Sequence, residues 1–370
     1  MNVPFYDSTR EYKLFKADFD KAIADVISSG AFILGKEVGE FEEQVKKYTG
    51  AKYAVGVANG SDALLMTSEI LGYGKADVLT PVFTFFASSS CITRLGGRPV
   101  FVDVDEDTYN MDMRDAENRM TKNTKGIIPV HLFLQTADMD KCMALARKHS
   151  LTVLEDAAEA FGIKTLYEGE NLHAGTIGDF GVFSFFPTKT LGGYGDGGMV
   201  ITNNEQYYNL VKSYRAHGAT KKYHHDFVGY NSRLDTLQAA ILQVKLSRID
   251  DSIQKRARHA DHYRELLKDI PAVKLPAIKE NNTAVNYVFS LQVENRDKLE
   301  QNLKENGIGT SVYYPIPLHL QKCFENLGYK KGDFPIAEKL CEKALALPMF
   351  PELTVDEIDY ICDTVRKFYK

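Results

Sequence analysis

Between Tyr53 and Glu155 short apolar runs alternate with helix-like segments: YAVGV from Tyr53, DVLTPV from Asp77, RPVFVDV from Arg98, GIIPV from Gly126 and LTVLE from Leu151. Short runs apolar at consecutive positions suit strands buried on both faces, and the helix-like stretches between them suit crossovers joining parallel neighbours. The alternation predicts an α/β chain with a mostly parallel sheet covered on both sides. In such a sheet ligands sit beyond the carboxyl ends of the strands, so the residues following each run are the ones that can meet a ligand.

Around this repeat the chain has other patterned segments. Phe19, Ile23, Val26 and Ile27 recur at helical spacing and stop at Gly30; Val38, Phe41, Val45 and Tyr48 do the same and stop at Gly50. A long helical pattern from Asp235 to about Asp269 reads as a linker helix, followed by strands at Tyr287–Val293 and Thr310–Tyr314. With 370 residues, 44% of them hydrophobic, the chain can bury a large core, and the expected division is residues 1–235, including N-terminal helices at 17–49, and a smaller part at 236–370. A net charge of −5 without a basic run argues against nucleic acid as a partner. No apolar run approaches the roughly 18 residues needed to span a bilayer, and MNVPFYDSTR has neither a basic region nor an apolar core, so the cytoplasm is the expected location. Cys91, Cys142, Cys323, Cys341 and Cys362 form no C-x-x-C pair and read as small core residues in a reducing compartment. His217, His224 and His225 lack matched ligand spacing and read as a solvated loop, so no metal is expected.

The stretch SFFPTKTLGGYGDGGM, Ser184 to Met199, contains G-x-G-x-x-G, but that motif needs a strand before it and a helix after it. Here a poor strand precedes and the strand-like MVITN follows, so the glycines read as a close-approach loop between strands with Lys189 at its entrance. Lys189 follows DFGVFSFF, surroundings apolar enough to disfavour the charged amine and make it nucleophilic, although most lysines are merely solvated. After YAVGV, Ala58-Asn59-Gly60-Ser61-Asp62 runs into an apolar helix; Ser61 or Asp62 would cap it, as a plain cap or as an anion site suited to phosphate. Phe83, Phe85 and Phe86 follow DVLTPV, as core or as an aromatic plate, and Asp156 follows LTVLE, where a buried carboxylate needs a cationic partner. Phosphate site, aromatic plate, buried acid and desolvated lysine are together what pyridoxal phosphate (PLP) requires.

In order and spacing the chain resembles the DegT/DnrJ/EryC1/StrS family of PLP-dependent sugar aminotransferases. The likeness rests on SGAFILGKEVGEFE at Ser29, VANGSDAL at Val57, PVFTFFA at Pro81, EDAAEAFG at Glu155, SFFPTKTLGGYGDGGM at Ser184, RAHG at Arg215, GYNSRLDTLQAAIL at Gly229 and YYPIPLH at Tyr313, and it covers nearly the whole chain. It implies the three-layer type I PLP-transferase fold, with a large-domain sheet and a smaller C-terminal α+β domain. It implies that Lys189 bonds to PLP and shuttles a proton, that Asp156 pairs with the pyridine nitrogen, and that Phe85 stacks on the ring. Gly60, Ser61 and Ser184 would hold the phosphate, with Asp62 beside them and Asn231 reaching in from the neighbouring subunit of a homodimer. Arg233, Tyr313, Tyr314 and His319 would contact a nucleotide-linked keto sugar.

This chain departs from its relatives at two places. Glu159 stands where many have Gln or His beside the cofactor's phenolic oxygen, so it must be protonated, turned away, or tolerated by a changed cofactor charge. His131-Leu132-Phe133-Leu134-Gln135 has leucine for the glycine of HLFGQ, so the local turn is expected to differ. Lysine at 189, rather than the histidine of related dehydratases, implies transamination. PTKTLGGYGDGG and QTADMD resemble enzymes that aminate carbon 3 of a dTDP- or UDP-linked sugar in amino-sugar or surface-polysaccharide synthesis, with L-glutamate leaving as 2-oxoglutarate. A carbon-4 aminotransferase and a PLP-binding regulatory protein without turnover are the alternatives.

Overall fold

A computed structural model describes residues 1–370. The apolar runs form a seven-stranded sheet: β1 (Tyr53–Val57), β2 (Asp77–Pro81), β3 (Arg98–Val102), β4 (Thr124–Ile127), β5 (Thr152–Asp156), β6 (Phe180–Ser184) and β7 (Gly198–Thr202), in the order β1-β7-β6-β5-β4-β2-β3. All neighbours are parallel except β7, which runs antiparallel to β1 and β6, with Val200 opposite both Val55 and Val182. The loop 185–197 contains no crossover helix, so the chain returns beside β6 in the opposite sense. Both faces of the central strands are buried, as their unbroken apolar character requires.

Five helices precede or interleave the first strands: α1 (Ser8–Leu14), α2 (Lys16–Ser29), α3 (Lys36–Thr49), α4 (Gly60–Ile70) and α5 (Ala87–Arg94). α2 and α3 stop at Gly30 (φ 67°) and Gly50 (φ 81°), left-handed positions that glycine fills without strain. α1 has no buried residue, hence no apolar periodicity to reveal it. Two expectations are corrected. The pattern from Asp235 to Asp269 is two helices, Thr236–Leu246 and Ile249–Leu267, because Arg248 leaves the helical region at φ −124°. Thr310–Tyr314 is no strand: Ser311 alone bridges Ala346, and Tyr314 turns its ring to within 5.6 Å of Phe83.

A second, antiparallel sheet is made of Val273–Lys274, Phe289–Val293 and Ala344–Leu347. Its core joins Tyr263, Phe289, Leu345 and Ile361 with Val3, which bridges Ile308. A hairpin, Lys164–Tyr167 and Glu170–His173, is extended by Asn282–Thr283. No helix is long and apolar enough to cross a membrane.

Candidate active site

The carboxyl ends of the parallel strands open into a cavity of about 380 Å3. It is lined by Asn59, Gly60 and Ser61 after β1, Thr84 and Phe85 after β2, Asp156 at the end of β5 and Glu159 after it, and Ser184, Lys189 and Asp196 from the end of β6 onward. Tyr287, Tyr313 and Tyr314 close it from the C-terminal part.

α4 begins where the anion site was expected, but its cap is Asn59, whose side-chain oxygen accepts from the Asp62 N–H at 2.8 Å; neither Ser61 nor Asp62 serves as cap. The first intrahelical bond is Ala63 N–H to Asn59 O, which leaves the Gly60 and Ser61 N–H groups without intrahelical acceptors. This end is tightly seated. A Cβ at Gly60 would fall 2.9 Å from Cβ of Ser184, and one at Gly198 would fall 2.5 Å from the carbonyl carbon of Asn59.

Asp156 ends β5 and is 4% exposed. Ser88 Oγ donates to its Oδ2 at 2.7 Å and the Ala158 N–H donates to Oδ1 at 3.2 Å. Burial raises its pKa, and these two bonds only partly offset the shift. Neither donor is cationic, so the acid lacks the charged partner that burial calls for.

Lys189 is reached from β6 through a short turn in which its N–H donates to Phe186 O at 2.9 Å. Tyr6 OH holds Pro187 O at 2.6 Å, and Thr188 Oγ1 meets Tyr287 OH at 3.1 Å. The amine Nζ lies 3.0 Å from Glu159 Oε1 and 4.7 Å from the centre of the Tyr287 ring. Here the sequence argument is corrected. Burial is the largest single influence and pushes the amine toward neutrality, but Glu159, Tyr287 and Asp156 together outweigh it, and the pKa is raised. Glu159 is not turned away, since its other oxygen accepts from the Phe133 N–H at 3.1 Å.

Phe133 is the left-handed residue of its turn, at φ 62°, and Leu134 N–H reaches back to Leu132 O at 2.7 Å. Leucine at 134 therefore carries no left-handed strain. The loop glycines make close approaches to the chain itself. Cβ atoms would fall 2.3 Å from Pro187 O at Gly192, and 2.8 and 2.9 Å from the Gln238 side chain at Gly193 and Gly195.

Of the three aromatics after β2, Phe83 is core, Phe85 lines the cavity and Phe86 packs on Phe324. Asp62, Asn231, Arg233 and His319 do not line it. Asn231 is exposed and paired with Ala216; His319 is buried, its Nε2 3.1 Å from Glu338 Oε1. Sequence reasoning missed Ser88 and Tyr287. Ser88, four residues after Thr84 beyond a strand end, could have been found by helical spacing; nothing local marks Tyr287.

The arrangement suits a phosphorylated pyridine aldehyde. It offers one amine, one buried acid awaiting a cation, free N–H groups at a helix start, and a half-enclosed volume with apolar walls. Gly60, Ser61, Ser184, Asp156 and Lys189 all line it. A larger depression of about 1100 Å3 between α2, α3 and the helix Thr236–Leu246 gathers Asp18, Lys21 and Gln243, but it opens widely and contains no buried acid or amine.

Comparison with known proteins gives the same picture. A model of the DegT/DnrJ/EryC1/StrS aminotransferase family matches residues 14–366. The pleiotropic regulatory protein of Geobacillus stearothermophilus is 44% identical over 100% of this chain and 99% of its own. The UDP-2-acetamido-2-deoxy-3-oxo-D-glucuronate aminotransferase of Pseudomonas aeruginosa is 39% identical over 97% and 98%. Among solved structures, DesV of S. venezuelae superposes with a TM-score of 0.96 at 35% identity, covering 100% and 99%. The PLP form of the putative sugar aminotransferase Spr1654 from Streptococcus pneumoniae superposes at 0.89 with 26% identity, covering 95% of each chain.

Proposed function

We propose, from the premise that this chain belongs to the DegT/DnrJ/EryC1/StrS aminotransferase family, that it moves the amino group of L-glutamate to carbon 3 of a dTDP- or UDP-linked keto sugar. The observation that carries this reading is the meeting of the Lys189 amine and the buried Asp156 in one cavity at the start of α4. Support for carbon 3 comes from relatives named for 3-oxo or 3-amino sugars.

Bound in this cavity, PLP supplies the electron sink that stabilises a carbanion at the amino-bearing carbon. The chain's own residues do the rest. Lys189 holds and moves the proton at Nζ in both half-reactions, with glutamate leaving as 2-oxoglutarate. Asp156, kept from water by β5 and α5, would hold the ring nitrogen. The Gly60 and Ser61 N–H groups and the Ser184 hydroxyl would hold the phosphate, and Phe85 would pack against the ring. Tyr313 and Tyr314 border the space left for the sugar nucleotide. A homodimer fits the exposed apolar segment Phe32, Ile33 and Leu34, 46%, 49% and 45% exposed, and would allow Asn231 to serve a neighbour's site. The cytoplasm, where nucleotide-linked sugars are made, is the proposed location. Residues 1–235 and 236–370 are the proposed large and small parts.

A panel of 3-keto and 4-keto nucleotide sugars, each incubated with glutamate and PLP, tests the reading; amination only at carbon 4, or of no sugar, would refute it. A second reading, a PLP-binding regulator without turnover, is favoured by relatives named a pleiotropic regulatory protein and a sensory transduction protein. Glutamate alone separates the two, because a regulator leaves the cofactor's absorbance unchanged.

A further inference from the structure

Glu159 contacts Lys189 and nothing else that is charged, and the mechanism above gives it no task. Its side chain is 9% exposed and that of Lys189 15%, so the pair sits largely out of water. One carboxylate oxygen is 3.0 Å from Nζ and the other is fixed by the Phe133 N–H at 3.1 Å. The backbone contact fixes the direction of the carboxylate toward the amine. The other titratable groups facing the pair are Asp156, Tyr287, Tyr313 and Tyr314, with Asp196 on the loop side, and no cation besides Lys189 lines the cavity.

Taking the PLP reading above as its basis, we propose that Glu159 is the proton partner of Lys189, holding the amine as an ammonium in the cofactor-free protein and accepting one proton from Nζ when the amine must be neutral. The step breaks one N–H bond at Nζ and forms one O–H bond at Glu159 Oε1. The charge on both groups disappears together, and no redox partner is needed. In a site of low polarity the charged and neutral forms of such a pair are closer in free energy than in water, because burial penalises both ions. The raised Lys189 pKa, to which Glu159 contributes together with Tyr287 and Asp156 against the larger opposing effect of burial, agrees with the first half of this role. Glu159 is thus a positioning residue that acts through the amine.

The test is the pH profile of Lys189 reactivity in the full-length, cofactor-free chain. The protein is treated with formaldehyde and a borohydride reductant from about pH 7 to about pH 11.5, a range that brackets the ordinary lysine value of about 10.4, and methylation at Lys189 is read by peptide mass spectrometry. Glu159→Gln keeps the size and an acceptor for the Phe133 N–H. Its Lys189 profile is expected to move to lower pH, with a rate at about pH 8 at least ~10-fold above wild type. A merely structural role would change the amplitude but leave the midpoint in place, so coincident midpoints overturn the proposal. Should Glu159→Gln not fold, wild type decides alone: the Lys189 midpoint must lie above that of the chain's solvent-exposed lysines, and a midpoint below theirs overturns it. PLP is then added to both proteins. Failure of PLP to react at Lys189 in either one counts against the cofactor reading and leaves the methylation result standing.

Discussion

Glu155 and Asp156 are neighbours at the end of β5, yet their carboxylates are held in opposite ways. Glu155 accepts from the N–H groups of Gly175, Ile177 and Gly178 at 2.9, 2.7 and 2.6 Å and lies 2.8 Å from His131 Nε2. His131 Nδ1 accepts from the Ala137 N–H, so the proton of a neutral ring is on Nε2 and points at Glu155. Asp156 instead faces the cavity with two neutral donors. Alternation of side chains along a strand separates a structural acid from one left for a ligand.

Asp156→Asn is expected to stabilise the cofactor-free protein while weakening PLP retention. The folded acid has a raised pKa, so its contribution to stability is full below the unfolded aspartate value of about 3.9 and is lost as pH rises through the folded value. Thermal melts without cofactor from about pH 4 to about pH 8 should show wild type falling relative to the variant, by a few degrees at neutral pH. Parallel curves would contradict the assignment.

Glu155→Ala has the opposite sign. It leaves the N–H groups of buried Gly175 and half-buried Ile177 and Gly178, and the His131 N–H, without their acceptor, each worth on the order of 1–3 kcal/mol if water does not replace the carboxylate. Urea unfolding should show a loss of at least ~2 kcal/mol with the PLP contacts untouched.

Lys189→Ala should abolish covalent PLP attachment, seen as loss of its visible absorbance band, and lower turnover by more than ~10^3-fold. The melting temperature of the cofactor-free protein should fall at neutral pH, since the variant leaves the buried Glu159 carboxylate without its charged partner. Full turnover would end the aminotransferase reading.

Asn59→Ala removes the cap of α4 and should cost about 0.5–2 kcal/mol of stability. Affinity for PLP should fall with it, because the Gly60 and Ser61 N–H groups lose their fixed direction. Pyridoxal without its phosphate provides the control: its weaker binding should be unchanged by the substitution.

The parts of the fold written as local pattern were legible in the sequence. The five runs became strands because unbroken apolar character admits few other buried elements, and Gly30 and Gly50 end helices where a left-handed residue is needed. The break at Arg248 was not legible, since a charged helical stripe continues across it. Asp156 and Lys189 could be selected because each follows an apolar strand. The sign of the Lys189 shift could not, for it depends on Glu159, thirty residues earlier, being brought to 3.0 Å. Tyr287 enters the cavity through tertiary packing alone. The loop glycines were recognised as close-approach positions, but what they approach, Gln238 and Pro187, is a property of the folded chain.

Val3 is stitched to Ile308 and shares a core with Val365, while Tyr6 reaches across to the turn that presents Lys189. Contacts of such long sequence separation form slowly. The turn that presents the reactive lysine is braced by a segment 181 residues away, so its support arrives with tertiary folding rather than with local structure.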